Sequence, residues 1–151
     1  MSPVAVRSAD AIHCVPLDRL VMLATVLDVR ERRDTARVER SDVARFGVSG
    51  IAGCIIRTDW CDRYLSGARA AAPTLTIEAA AYLLEGGVRT VAADFPITDP
   101  AADMLLTNDC VIVCCLSNLG SLEKEIVRLV ALPLKFADTF SADARVIAME
   151  E

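Results

Sequence analysis

The chain has 151 residues, of which 54% are hydrophobic, with a formal net charge of −5 and a mean hydropathy of +0.40. That length supports one domain with a buried core, and the acidic balance speaks against nucleic acid as a partner. No apolar run approaches the roughly 18 consecutive residues of a membrane span, and residues 1–12 hold no continuous apolar stretch of the kind a secretory signal needs.

Residues 1–13 carry no clear pattern, and residues 1–15 are set apart as a poorly specified leading segment before a domain over 16–151. Residues 16–20 (PLDRL) read as a turn or short helical element leading into a strand over 21–29 (VMLATVLDV). Residues 31–34 turn the chain, 36–38 could pair back, and Ser41 could cap a short helix. Arg30, Arg32, Arg33, Arg37 and Arg40 cluster here, but Asp28, Glu31, Asp34 and Glu39 are interleaved with them. This is the pattern of a solvated hairpin, not of a phosphate-binding patch.

Residues 51–57 (IAGCIIR) form a short apolar run between turn-forming residues, as a buried strand does. The alanine-rich piece 68–72 reads as a loop or short helix edge. Thr76 is positioned to cap a helix with Glu78 in its first turn, and Ile77, Ala80, Ala81 and Leu84 lie on one stripe at helical spacing. Gly86 and Gly87 stop it. A strand over 91–93 ends in Asp94-Phe95-Pro96. Asp99 caps a second helix with Pro100 at its first position, where a missing N–H costs nothing, and that helix ends near Asn108. Residues 110–116 (CVIVCCL) make a third strand. Residues 127–135 form another, in which Pro133 belongs at an edge or bulge, and residues 144–149 are the last. Strands alternating with helices argue for an α/β domain with one mixed sheet.

The six cysteines are Cys14, Cys54, Cys61, Cys110, Cys114 and Cys115. None forms a C-x-x-C pair, so neither a zinc knuckle nor a thioredoxin motif is indicated. Cys54, Cys110, Cys114 and Cys115 sit in apolar strand segments as small hydrophobes. Unpaired thiols suit a reducing compartment, and a cytoplasmic location is expected.

Several segments, in order, resemble the cyclase family of metal-dependent hydrolases, whose best-known members are bacterial kynurenine formamidases (arylformamidases). They are PLDRL at 16–20 followed by TVLDV at 25–29; Arg57-Thr58-Asp59-Trp60, where the family usually has R-T-G-W; EAAAYL at 78–83 before Gly86-Gly87-Val88; ADFP at 93–96 with Asp99-Pro100; Ser117-Asn118-Leu119; and VALPLK at 130–135. The resemblance implies a swivelling β/β/α-type fold whose N-terminal part is missing here, a dimer or higher oligomer, and a metal-activated water that attacks an amide or ester carbonyl. The family's H-x-G-T-H-x-D motif is not found in the residues before Pro16. By the same resemblance, the position of a histidine ligand is occupied by Ala102 and that of a glutamate ligand by Cys114, and His13 is the chain's one histidine.

Cys114 could be a thiolate ligand or a packed strand residue, and His13 a ligand or an incidental side chain. Trp60 could wall a pocket or fill the core. Asp94, at a strand's carboxyl end where α/β sites form, could serve a site or cap its loop with Asp99. Asn118 could line a pocket or order a turn. No serine has a histidine base in nucleophile-elbow context, and Gly86-Gly87 ends a helix instead of cradling phosphate. The expectation is a catalytically degenerate arylformamidase-like chain, with no cofactor bound and no metal ligands. Its alternative is a structural or interaction subunit pairing with itself or with an intact paralogue. An active hydrolase of N-formylkynurenine, in tryptophan catabolism, would need ligands from another chain or an unusual Cys/Asp site. A sheet without its opening strands should leave apolar faces or edges uncovered, which favours association.

Overall fold

The computed structural model describes residues 4–32 and 36–151. In chain order the elements are β1 (Ala5–Arg7), β2 (Val21–Asp28), β3 (Arg37–Val38), α1 (Arg40–Ala44), β4 (Gly53–Arg57), α2 (Trp60–Leu65), β5 (Thr74–Leu75), α3 (Ile77–Glu85), β6 (Thr90–Ala93), α4 (Ala101–Thr107), β7 (Val111–Cys114), β8 (Ile126–Pro133) and β9 (Ser141–Met149), with short 3-10 turns between them. The expected turn over 31–34 lies partly on residues 33–35, outside the described residues.

Seven strands close into a barrel in the order β1-β7-β6-β4-β2-β8-β9. The β2, β4, β6 and β7 contacts are parallel, whereas β8 and β9 join antiparallel. β1 pairs antiparallel with both β7 and β9 and completes the ring. A mixed α/β single domain is therefore present. The uncovered edges expected from the sequence are not, because Ala5–Arg7, in a stretch without any clear pattern, supplies the closing strand. Three residues are too few for periodicity to reveal.

The side chains sort into two cores by the period of the strand. Ala24, Val26, Ile55, Ala92, Val111 and Val113 point into the barrel with Val127, Leu129 and Ala131. Leu27, Cys54, Ile56, Val91, Ala93 and Ile112 point outward to the helices. Every residue of β4, β6 and β7 is buried, which is why these strands read as continuous apolar runs instead of alternating ones.

Local chemistry explains the helix ends. Thr76 Oγ1 accepts from the Ala79 N–H at 3.2 Å, capping α3. The buried face of α3 is Ala79, Ala80 and Leu83, not the stripe through Ile77, Ala81 and Leu84, because the two small alanines let the helix approach closely. α4 begins at Ala101 with Pro100 as its cap residue, one position later than expected, and Asp99 Oδ1 still accepts from the Asp103 N–H at 3.2 Å. At α1 the cap residue is Glu39, not Ser41, and Asp42 Oδ2 accepts its N–H at 2.8 Å. β3 pairs in parallel with β5 and not back on the preceding strand.

Candidate functional site

The parallel strands deliver their carboxyl ends to one end of the barrel, the usual location of α/β sites. Arg57-Thr58-Asp59 leaves β4 there, Asp94 leaves β6, and Cys114-Cys115 leaves β7. Asp59 turns the chain into α2 with a φ of +62°. A glycine adopts that conformation freely, and another residue pays on the order of 1 kcal/mol for it. This gives a physical reason for the R-T-G-W pattern with which Arg57–Trp60 was compared. Asp tolerates the site, and its carboxylate accepts from Arg57 Nε at 3.2 Å. Arg57 is itself buried and donates to the Leu122 carbonyl at 3.4 Å.

Asp94 is buried, and its carboxylate holds the turn. Oδ2 accepts from the N–H groups of Thr58 at 2.8 Å and Asp59 at 2.6 Å, and Oδ1 accepts from Thr58 Oγ1 at 2.6 Å. Burial pushes its pKa up to about 6, against the three hydrogen bonds that pull the other way. Its partners are Thr58 and Asp59 and not Asp99, which serves α4 alone.

Trp60 is packed in the helix-side core, its ring 5.0 Å from that of Tyr64, and its Nε1–H donates to the Ala70 carbonyl at 3.0 Å. Asn118 is exposed with a φ of +60°, and its N–H donates to both oxygens of Asp62 on α2 at 2.9 and 3.1 Å. It borders a cavity of ≈ 290 Å³ between the β7–β8 connection and β9. Ala102 is wholly buried on α4. Cys114 ends β7 opposite Ala5 of β1, with Sγ 4.0 Å from the Ala5 carbonyl oxygen. The neighbouring Cys115 thiol, with Arg7 contributing, lowers the pKa of Cys114, and that of Cys115 is correspondingly raised.

A second feature at this end is an open cleft of ≈ 840 Å³ bordered by Asp28, Glu31, Asp59 and Glu125 together with Arg30 and Arg45. Arg30 donates to both Asp28 oxygens, the shortest contact being 2.6 Å, and lies 3.9 Å from Asp59. Arg45 pairs with Glu31. The Arg30 hydrogen bond holds the Asp28 carboxyl below its usual range.

These donors do not fit a resident cation of the kind the family resemblance implies. Both Asp94 oxygens are committed to the β4–α2 turn, Asp62 to Asn118, and Asp28 and Asp59 to arginines. His13 is exposed beside Cys14 on a 3-10 turn, with Nε2 3.3 Å from the Cys14 sulfur. Among the described residues, no three His, Cys, Asp or Glu side chains converge as a metal site would need.

Sequence reasoning brought Asp94, Trp60, Asn118, Ala102 and Cys114 forward, and all five lie on the elements that meet at this end of the barrel. It missed α2, whose six residues are too few for a periodic signal, and with it Cys61 and Asp62. It also missed the burial of Arg57, for which the only sequence signal was its place at the end of an apolar strand.

The chain matches, over residues 2–100, the family described as "Putative cyclase". No curated protein matches it. Its fold is similar to that of a potential metal-dependent hydrolase with cyclase activity, with a TM-score of 0.84 at 20% identity, covering 97% of this chain and 77% of that one. It is also similar to an isatin hydrolase bound to the product analogue thioisatinate, at a TM-score of 0.81 and 18% identity over 96% of this chain and 70% of that one. Isatin hydrolase A from Ralstonia solanacearum gives 0.84 and 19% over 97% and 71%. Closure of the barrel, the four parallel strands and the matched span together establish that the chain belongs to the cyclase family.

Proposed function

We propose that this chain is a cyclase-family domain that does not carry out metal-dependent hydrolysis and acts through its folded surface. The observation that carries the reading is the state of the donors. The position compared with a histidine ligand is the buried Ala102, that compared with a glutamate is Cys114, and the nearby carboxylates are spent on backbone N–H groups and arginines. A cation held by a cyclase-type site needs imidazole and carboxylate ligands converging on it. The test is calorimetric titration of the purified chain with Zn²⁺ and with Mn²⁺, followed by hydrolysis assays on N-formylkynurenine and on isatin. Neither stoichiometric binding nor turnover is expected. Turnover that a chelator abolishes overturns the reading. Six reduced thiols favour a cytoplasmic setting, and among the described residues no helix is long and apolar enough to cross a membrane.

A second reading, an interaction subunit that pairs with itself, is favoured by the outer face of the antiparallel strands. Val21 and Leu23 of β2, Ile126 and Leu132 of β8, and Ile147 and Met149 of β9 are all exposed. The strand register sets Val21 beside Val130 and Ile147, and Leu23 beside Arg128 and Met149. Such a face rarely stays in water. Light scattering should report a dimer or larger species that Leu23→Lys with Ile147→Lys dissociates, and a wild-type monomer removes this reading. An intact paralogue as the partner would appear as a heteromer on mixing.

A further inference from the structure

On an extended strand, neighbouring side chains point to opposite faces. β7 obeys this to its end: Val111 and Val113 face the barrel interior, whereas Ile112 and Cys114 face the helices. Cys115 breaks the alternation. Its φ is +65°, in the left-handed region that favours glycine, and its side chain lies in the same helix-side core as Cys114, while Leu116 returns to the barrel core. The left-handed residue places two adjacent cysteines in the same helix-side core. Strained backbone of this kind concentrates at working sites.

We propose that Cys114 and Cys115 form a redox-active dithiol, which hydrogen peroxide closes into a disulfide between adjacent residues and which small thiols reopen. The chemistry balances within the pair and its oxidant. The Cys114 sulfur attacks one peroxide oxygen, the O–O bond breaks, and the departing hydroxide takes the Cys114 proton as water, leaving a sulfenic acid. The Cys115 sulfur then attacks the Cys114 sulfur. The S–O bond breaks, and the hydroxyl leaves as a second water with the Cys115 proton. Two thiols lose two electrons and two protons, and one peroxide becomes two waters.

Geometry selects this pair over the other thiols. Cys54 and Cys110 are 0% and 1% exposed, and burial pushes both thiols up, Cys110 to about 12, whereas Cys114, at the end of its strand, is 9% exposed and backs onto Cys115. Cys14 is exposed and has no second cysteine beside it in the chain. Cys61 Sγ donates to the Cys115 carbonyl oxygen at 3.6 Å and is not adjacent to either cysteine in the chain. Adjacent α-carbons stand about 3.8 Å apart, short of the usual ~4.4–6.8 Å spacing for a disulfide, so the bond is strained and readily reduced. It is suited to switching and not to permanent stapling. The inference does not rest on the proposed loss of hydrolysis.

The test uses the full chain carrying Cys14→Ser, which removes intermolecular coupling. The reduced protein is titrated with hydrogen peroxide, alkylated after denaturation, digested and examined by tandem mass spectrometry. The peptide holding residues 114 and 115 should become lighter by two hydrogens and resist alkylation, at peroxide levels that leave Cys54 and Cys110 fully alkylated, and dithiothreitol should restore it. With Cys115→Ser added, Cys114 should instead be captured by dimedone as its sulfenic acid. A cross-link to Cys61 overturns the proposal. So does oxidation of either residue to the sulfinic acid without a disulfide, or full alkylation of both at every dose. Should the Cys115→Ser chain not fold, the peptide masses of the Cys14→Ser protein decide the matter alone.

Discussion

Replacing Asp94 by alanine is the sharpest test of how this end of the barrel is held. The carboxylate is buried and accepts from three donors: the Thr58 N–H, the Thr58 hydroxyl and the Asp59 N–H. Thr58 is wholly buried, so its amide would lose its partner with no water to replace it, whereas the half-buried Asp59 turn is better placed to recruit solvent. A buried donor left without an acceptor costs about 1–3 kcal/mol. The Thr58 amide and hydroxyl therefore dominate, and a loss of about 3 kcal/mol is expected. Against a typical total of about 5–15 kcal/mol, that is a large fraction of the stability. Urea unfolding followed by circular dichroism measures it. At a slope of about 2 kcal/mol per molar, the midpoint should fall by about 1.5 M. Asp99→Ala is the control, because it removes one exposed cap contact at 3.2 Å and should cost about 1 kcal/mol or less. Equal effects of the two substitutions, or a loss under about 1 kcal/mol for Asp94→Ala, would refute the assignment of Asp94 as the clasp of the β4–α2 turn.

Asp94 also sets a pH dependence. Its folded value of about 6 lies above the ordinary aspartate value of 3.8, so the folded state binds the extra proton between those values. The contribution is complete below about 3.8 and is lost as the pH rises through about 6. The stability difference between wild type and Asp94→Asn should therefore favour wild type by about 1 kcal/mol more at pH 5 than at pH 7, and a flat difference contradicts the raised value. Gly53→Ala should destabilise by about 1–3 kcal/mol in thermal or urea melts, because the new methyl would meet Met22 Cγ at 2.9 Å and Ala24 Cβ at 3.2 Å across the β2–β4 pair. Unchanged stability would mean that Met22 moves aside freely. Thr76→Ala removes the acceptor of the Ala79 N–H and should cost about 1 kcal/mol. No loss would mean that water replaces the cap.

Much of the fold is legible in local chemistry. Helix α3 announces itself through Thr76, the first-turn Glu78 and the terminal glycines, because a cap and a stop act within a few residues of the chain. Strands β4, β6 and β7 are visible as apolar runs, because strands buried on both faces need them, whereas β2, β8 and β9 are visible through their β-branched and aliphatic residues although one face is exposed. Ala102 and Cys114 could be singled out before the fold was known, because each was a residue of the wrong chemistry at a position compared with a ligand.

What remained hidden depends on contacts between distant segments. No local pattern says that Ala5–Arg7 closes the barrel between β7 and β9, since three residues carry too little periodicity and the pairing energy comes from partners more than a hundred positions away. Nor does sequence say that Asp94 faces Thr58 instead of Asp99, that Arg57 is buried, or that Cys115 bends back beside Cys114. Chemical identity, the single imidazole and the paired cysteines among it, was determined by the chain alone. Which of those groups meet, and so which can act on one another, was decided by the closure of the barrel, because reactivity follows separation in space and not position along the polymer.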